Sequence, residues 1–335
     1  MMQKKIAVCG AGAWGTALGQ ILSVAGHYVI IAGRNRDKIE HYRETLTHDK
    51  LGDDIVLSPD IIWSDDINMA VQQADIIILS VPTQYVAGFL TEHYEYFAKD
   101  ALIVQTAKGI DIESGLLIHD ITARHAPHHK VILLSGPGFA RDVVRLKPTA
   151  VSIAHHDKNI SEIIQNLFEN TPIRPYSVTD IDGVALGGAM KNILAIAAGY
   201  VMGYDLGESA KAALLTRGFS EIGRLSSYFN AQKETLFGLS CFGDLMLTTS
   251  GMESRNYRYG FELAQNAKYQ STEAGDIFTP SYTAEGYYTL KALLPLLNDH
   301  KNEFPILESL SLLLSGDCTF HDVMKTLLSR PMRCE

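Results

Sequence analysis

The stretch that most constrains the fold is Gly10-Ala11-Gly12-Ala13-Trp14-Gly15. It follows the apolar run Ile6-Ala7-Val8-Cys9 and opens a helical pattern over residues 16–24. Glycines at this spacing are a weak signal alone and a strong one between a strand and a helix. Gly10 permits the tight turn, Gly12 lets the backbone approach a pyrophosphate, and Gly15 allows close helix–strand packing. The helix start then presents unpaired N–H groups and a positive dipole end to an anion. The turn therefore predicts a dinucleotide-binding unit.

The pattern that follows supports it. Strand-like apolar runs cover residues 28–32, 75–81, 102–106, 131–135 and 149–154, separated by amphipathic segments. Continuous apolar strands alternating with helices predict a parallel sheet covered on both faces. Beyond about residue 177 the runs become long, Ala/Leu-rich and helical in period, over residues 184–202, 209–227, 290–297, 305–314 and 320–328. Asp180 or Asp182 is suited to cap the first of these helices. Pro295 is expected to kink or end the helix over 290–297. The expected architecture is a Rossmann-type doubly wound parallel sheet domain, residues 1–185, followed by an all-α C-terminal domain, residues 186–335. A length of 335 residues suits two domains.

Several partner classes are set aside on composition. A net charge of −9 provides no basic face for nucleic acid. The run over 184–202 is apolar but carries Lys191 and Asn192 near its centre, so a buried helix is expected and no membrane span. The N-terminus lacks the apolar stretch of a leader. Cys9, Cys241, Cys318 and Cys334 form no CxxC pair, which fits a reducing compartment, the cytoplasm. His125, His128 and His129, and the pair His155-His156, lack the spacing of a zinc site, so no metal is expected.

At the end of the second strand an NAD binder usually carries an acidic residue for the ribose hydroxyls. This chain has Gly33-Arg34-Asn35-Arg36. An arginine there can pair with a 2′-phosphate and stack on adenine, so NADP(H) is expected over NAD(H). In the second half, Gly187, Gly188 and Ala195 surround Lys191 at helical spacing and leave room for a ligand. Burial there would lower the lysine pKa toward the working range. By spacing alone, a lysine extending along one helix face to water fits equally. Gly238-Leu239-Ser240-Cys241-Phe242-Gly243-Asp244 ends a glycine-containing turn in a carboxylate. Ser254-Arg255-Asn256 offers a guanidinium suited to a phosphate.

In chain order, further motifs join these: Val81-Pro82-Thr83, Ala107-Lys108-Gly109, Ser135-Gly136-Pro137-Gly138-Phe139-Ala140, Ala213-Leu214-Leu215-Thr216-Arg217-Gly218 and Ala284-Glu285-Gly286. Together they resemble the successive motifs of bacterial NAD(P)-dependent sn-glycerol-3-phosphate dehydrogenases, across nearly the whole chain. The resemblance implies reversible reduction of dihydroxyacetone phosphate to sn-glycerol 3-phosphate, the backbone of glycerophospholipids. It implies that Lys191 is the general acid/base and that Lys108 and Asp244 orient and polarise the reacting centre. It implies substrate contacts from Lys108, Gly136, Gly138, Lys191, Asn192, Asp244, Thr248, Ser254, Arg255 and Asn256. On the cofactor side it implies Gly10, Gly12, Ala13, Trp14, Gly15, Arg34, Lys108, Ala140, Arg255 and Glu285. A homodimer is a further expectation by analogy.

The chain departs from the family pattern in places. Gly138 stands where a hydroxyl residue is usual, Arg141-Asp142 replaces a Lys-Glu pair, and Ser240-Cys241-Phe242 replaces a smaller stretch. The rival readings are a related β-hydroxyacid-type dehydrogenase acting on a carboxylate, and a protein that binds NADP without turnover.

Overall fold

Strand β1 (Lys5–Cys9) lies inside the sheet, and the apolar residues Ile6, Ala7, Val8 and Cys9 suit it to burial on both faces. The computed structural model describes residues 3–269, 284–300 and 302–329. Within them the other strands are β2 (Tyr28–Ala32), β3 (Ile62–Ser64), β4 (Ile76–Leu79), β5 (Leu102–Gln105), β6 (Val131–Ser135), β7 (Thr149–Ala154) and β8 (Ile173–Val178). Their spatial order is β3-β2-β1-β4-β5-β6-β7-β8. Chain order reverses between β1 and β4, and such a crevice is where doubly wound folds bind ligands.

Alternate side chains of β1 enter different cores. Ile6 and Val8 pack with Leu18, Ile21 and Leu22 of the helix Ala13–Val24. Ala7 and Cys9 share a core with Val86, Leu90, Met190 and Ile193. A fully buried leucine or isoleucine in either core contributes about 1.5–3 kcal/mol relative to exposure. The second core runs without a break from the sheet into the helical half.

Two strands were not expected. β3 spans three residues, too few for a pattern. β8 reads Ile-Arg-Pro-Tyr-Ser-Val, with Pro175 inside it and most of its residues partly exposed. Proline is tolerated because β8 is an edge strand, with one side free of ladder bonds. The expected parallel sheet carries one antiparallel pair. β6 and β7 pair antiparallel, with Leu134 opposite Ile153, and β8 then runs parallel to β7. An apolar run has no legible direction, so pattern alone could not show the reversal.

The helical half is organised on one long helix, Ile181–Gly203. Asp180 caps it by accepting from Gly183 N at 2.9 Å. Among the described residues this is the helix long and apolar enough to cross a membrane, and it is wholly buried within the protein. It continues through residues 185 and 186. The helix Arg255–Tyr269 lies directly against it. A Cβ at Gly199 would stand 1.9 Å from Tyr257 O, and one at Gly260 would stand 1.9 Å from Ile196 O. Only glycine allows the two backbones so close. The helix Glu285–Asp299 also packs on the long helix and continues through Pro295 instead of ending there. Among the described residues this half also holds the helices Gly207–Leu225, Asp244–Thr248, Pro305–Ser315 and Phe320–Leu328. Cys334 lies outside the described residues.

Candidate active site

The glycine turn has the geometry its sequence demands. Gly10 has φ +121°, and a Cβ there would stand 2.5 Å from Ser80 O of the neighbouring loop. A Cβ on Gly15 would stand 2.2 Å from Gly10 O. Around the Cβ position of Gly12 nothing lies within 4 Å, so this backbone faces open space. The helix Ala13–Val24 has no side-chain cap and no acidic residue in its first turn. Its leading N–H groups thus suit an anion, which fits a dinucleotide pyrophosphate. Arg34, at the end of β2, is exposed, with its guanidinium carbon 5.8 Å from the centre of the Tyr85 ring. Asn35 caps the next helix by accepting from Lys38 N at 3.0 Å.

Two features of this half were missed in the sequence. His48 is buried and its Nε2 donates to Ala11 O at 3.2 Å, inside the glycine turn. The donor role follows because its Nδ1 accepts from Lys50 N at 3.1 Å. This brace is 37 residues from the carbonyl it holds, so no local pattern could announce it. Tyr85 stands beside Arg34, and its only local signal was an aromatic residue after Val-Pro-Thr.

The second group of residues surrounds one carboxylate. Asp244 is 3% exposed and follows a π-helical turn, Leu239–Gly243, at the start of the short helix Asp244–Thr248. Lys108 Nζ donates to Asp244 Oδ2 and, at 3.1 Å, to Gly136 O. Lys191 Nζ donates to Asp244 Oδ1 at 3.3 Å and to Thr248 Oγ1 at 2.7 Å. Thr248 Oγ1 in turn donates to Asp244 Oδ1 at 3.2 Å. Small residues make the cluster possible: Gly188 lies against Ser135 and the Lys108 stem, and Gly187 against Cys241. Lys191 is therefore not a lysine extended to water.

The electrostatics follow from this packing. Burial pushes the Lys191 ammonium down from 10.5 to about 8, with Asp244 opposing the shift and Lys108 adding to it. Burial alone would raise the Asp244 carboxyl, but the two flanking lysines outweigh it and hold the group below its ordinary value. The result is an ionised carboxylate beside an ammonium able to lose its proton near neutral pH.

A third set positions amides. Asn256 Oδ1 accepts from Gly286 N at 3.0 Å, and Asn256 Nδ2 donates to Asn192 Oδ1 at 2.9 Å. This chain orients the Asn192 amide so that its NH₂ remains to donate elsewhere. Asn192 and Asn256 meet because their helices touch at Gly199 and Gly260. Ser254 is buried, and its hydroxyl accepts from Tyr257 N at 3.3 Å. Arg255 is exposed at the start of the same helix. Its charge opposes the effect of burial on Glu285, whose carboxyl is still pushed up to about 7. Glu285 also accepts from Thr83 N and so links the helical half to the loop after β4.

One loop joins the glycine turn to the carboxylate cluster. Gly136 has φ +152° and presents its carbonyl to Lys108. A Cβ on Gly138 would stand 3.3 Å from both the Trp14 ring and Thr149, so Trp14 closes over this position. Ala140 begins the short helix Ala140–Val144.

Comparison with known proteins places this arrangement. Residues 5–161 match the N-terminal model of NAD-dependent glycerol-3-phosphate dehydrogenase, and residues 180–325 match its C-terminal model. The chain belongs to the NAD-dependent glycerol-3-phosphate dehydrogenase family. Family membership makes it an NAD(P)-dependent oxidoreductase. It is similar to the glycerol-3-phosphate dehydrogenase [NAD(P)+] of Brucella canis, 38% identical over 334 residues and covering 100% of both chains. The enzyme of the same name from Parvibaculum lavamentivorans is 36% identical over 99% of this chain and 98% of its own. The crystal structure of glycerol-3-phosphate dehydrogenase from Coxiella burnetii superimposes with a TM-score of 0.87 at 29% identity, covering 98% of this chain and 99% of that one.

Proposed function

We propose that this dehydrogenase reduces dihydroxyacetone phosphate to sn-glycerol 3-phosphate, with Lys191 as the acid that protonates the C2 oxygen. The observation that carries the reading is the buried Lys191–Asp244–Lys108 cluster, with Lys191 lowered to about 8. A nicotinamide dinucleotide held at the glycine turn would supply the hydride. As the carbonyl oxygen gains negative charge, the Lys191 ammonium stabilises it and transfers its proton. Asp244 stays ionised and, with Thr248, fixes the direction of the ammonium. Lys108 spans Asp244 and the Gly136 carbonyl and adds positive charge at the same place. The free NH₂ of Asn192 serves as a donor to a substrate oxygen, and Arg255 supplies the cation for a phosphate. Gly136, Gly138, Ser254 and Asn256 complete this wall. In the oxidative direction the same lysine, neutral, accepts the proton.

On the cofactor side the fit is to NADP(H) in preference to NAD(H). Gly10, Gly12, Ala13, Trp14 and Gly15 would hold the pyrophosphate. Ala140, Lys108, Arg255 and Glu285 would line the nicotinamide side. Arg34 replaces the usual acidic residue at the end of β2, and its guanidinium lies in solvent beside Tyr85. Residues 1–185 then form the dinucleotide-binding domain and residues 186–335 the helical substrate-binding domain, each lending a few side chains to the other's ligand, in a cytoplasmic, soluble enzyme, as a homodimer, supplying the glycerophospholipid backbone. The test is loss of NADPH absorbance on adding dihydroxyacetone phosphate to the purified protein. Turnover with a 2- or 3-keto acid instead would favour a β-hydroxyacid dehydrogenase. No turnover with any ketone would favour a binding protein.

A further inference from the structure

On the side of the long helix away from Lys191, a second group of ligating side chains comes together. His119 lies on the helix Ile118–His125 and Asp182 in the first turn of the long helix, 63 residues away. His119 Nε2 is 2.9 Å from Asp182 Oδ1 and 3.5 Å from Asp120 Oδ1. The three ligand atoms all lie within 4.8 Å of one another. His119 is 7% exposed and its Nδ1 has no partner, so the ring acts only through Nε2. Asp120 and Asp182 have no other hydrogen bond or ion pair among the described residues. One imidazole N–H cannot satisfy two carboxylates, and two carboxylates this close repel one another. A divalent cation at that point would take one ligand atom from each of the three groups and offset the repulsion between the carboxylates.

The distances suit one. Zinc bonds to imidazole and carboxylate are about 2.0–2.2 Å, which makes a tetrahedral ligand–ligand edge roughly 3.3 Å. The observed 2.9 and 3.5 Å bracket that edge. The site opens on a groove of about 750 Å³ that these residues line with Lys130, His155 and His156. Solvent there can supply the remaining ligands, and neither Asp side chain is fully buried. One imidazole with two carboxylates favours a borderline transition metal over magnesium or calcium, which take oxygen alone. We propose that His119, Asp120 and Asp182 form a divalent transition-metal site that clamps the helix Ile118–His125 to the first turn of the long helix carrying Lys191. The sequence hid it because the histidines clustered in sequence, at 125–129 and 155–156, are not the ligand.

The test uses the full chain without a polyhistidine tag, freed of metal by chelator. Zn²⁺ is titrated by calorimetry, and Co²⁺ by its visible absorption. The expected result is one Zn²⁺ per chain, a rise in Tm, and a Co²⁺ spectrum with nitrogen and oxygen ligation. His119→Gln and Asp182→Asn should weaken binding by at least about tenfold. Asp120→Asn should do the same, and because Asp120 is half exposed this variant keeps the fold testable. A His155→Ala/His156→Ala variant should bind as the parent does. Turnover without added metal should stay unchanged in Asp120→Asn. Absence of one-to-one binding, binding that survives His119→Gln and Asp120→Asn, or binding lost only with the 155–156 pair would each overturn the proposal. So would equal affinity for Mg²⁺ and Zn²⁺.

Discussion

The glycine turn and the lysine cluster are built in opposite ways. Gly10, Gly12 and Gly15 lie within six residues, and much of what they do is local: Gly10 takes φ +121°, and Gly15 leaves room for Gly10 O, with Ser80 O of the neighbouring loop the one remote contact. The lysine cluster is assembled across the fold, Lys108 to Asp244 over 136 residues and Lys191 to Thr248 over 57. The first depends on local conformation, the second on helices that must approach to backbone contact. Changes to the turn should therefore act on binding, and changes to the cluster on chemistry or on the packing beneath it.

The sharpest way to break that comparison is Lys191→Ala. General acid catalysis contributes about 10²–10⁴-fold, so kcat should fall by that factor. The Kd for NADPH, measured by fluorescence titration, should hardly move. A variant with normal kcat would remove Lys191 from the chemistry. Next in size is Gly260→Ala, which places a methyl against Ile196 O. Overpacking of this kind costs about 1–3 kcal/mol, read by urea unfolding. It should also raise KM for the substrate, because Asn256 and Asn192 are held by the same helix contact. Unchanged stability and KM would mean that the two helices do not hold the amides in place.

Arg34→Asp tests the other region. Loss of one charge-assisted contact to a 2′-phosphate is worth about 1.5–3 kcal/mol. Preference should move toward NADH by at least about tenfold, with kcat on the preferred cofactor kept. The smallest effect is on pH. Lys191 is depressed to about 8, so its ammonium, the proposed acid for reduction, is lost as pH rises through that value. The reductive rate should be half-maximal near this pH and fall above it, while the oxidative rate rises over the same range. A flat reductive profile from pH 7 to about 9 would show that the proton comes from elsewhere.

Much of the fold was legible in the sequence for a physical reason. Strands buried on both faces must be apolar throughout, so β1, β2, β6 and β7 stood out as runs. β8 did not, because an edge strand with a proline and exposed residues satisfies a weaker pattern. The direction of β7 was hidden because apolar burial is the same in either sense. Among the site residues, Lys191 was visible as a charge in an apolar helix, yet spacing alone left open whether it reached water. Its partners decided that. Asp244 and Thr248 come from a later helix, and nothing near Lys191 in sequence names them.

The sequence by itself determined the strand–glycine–helix pattern of the turn and the presence of Arg34 at the end of β2, because glycine spacing and residue identity are read along the chain. Tertiary structure alone decided the lowered Lys191, the amide chain from Gly286 through Asn256 to Asn192, the His48 brace on Ala11 and the meeting of His119 with Asp182. Each of these depends on burial or on distances between side chains remote in sequence, and those exist only once the helices have packed.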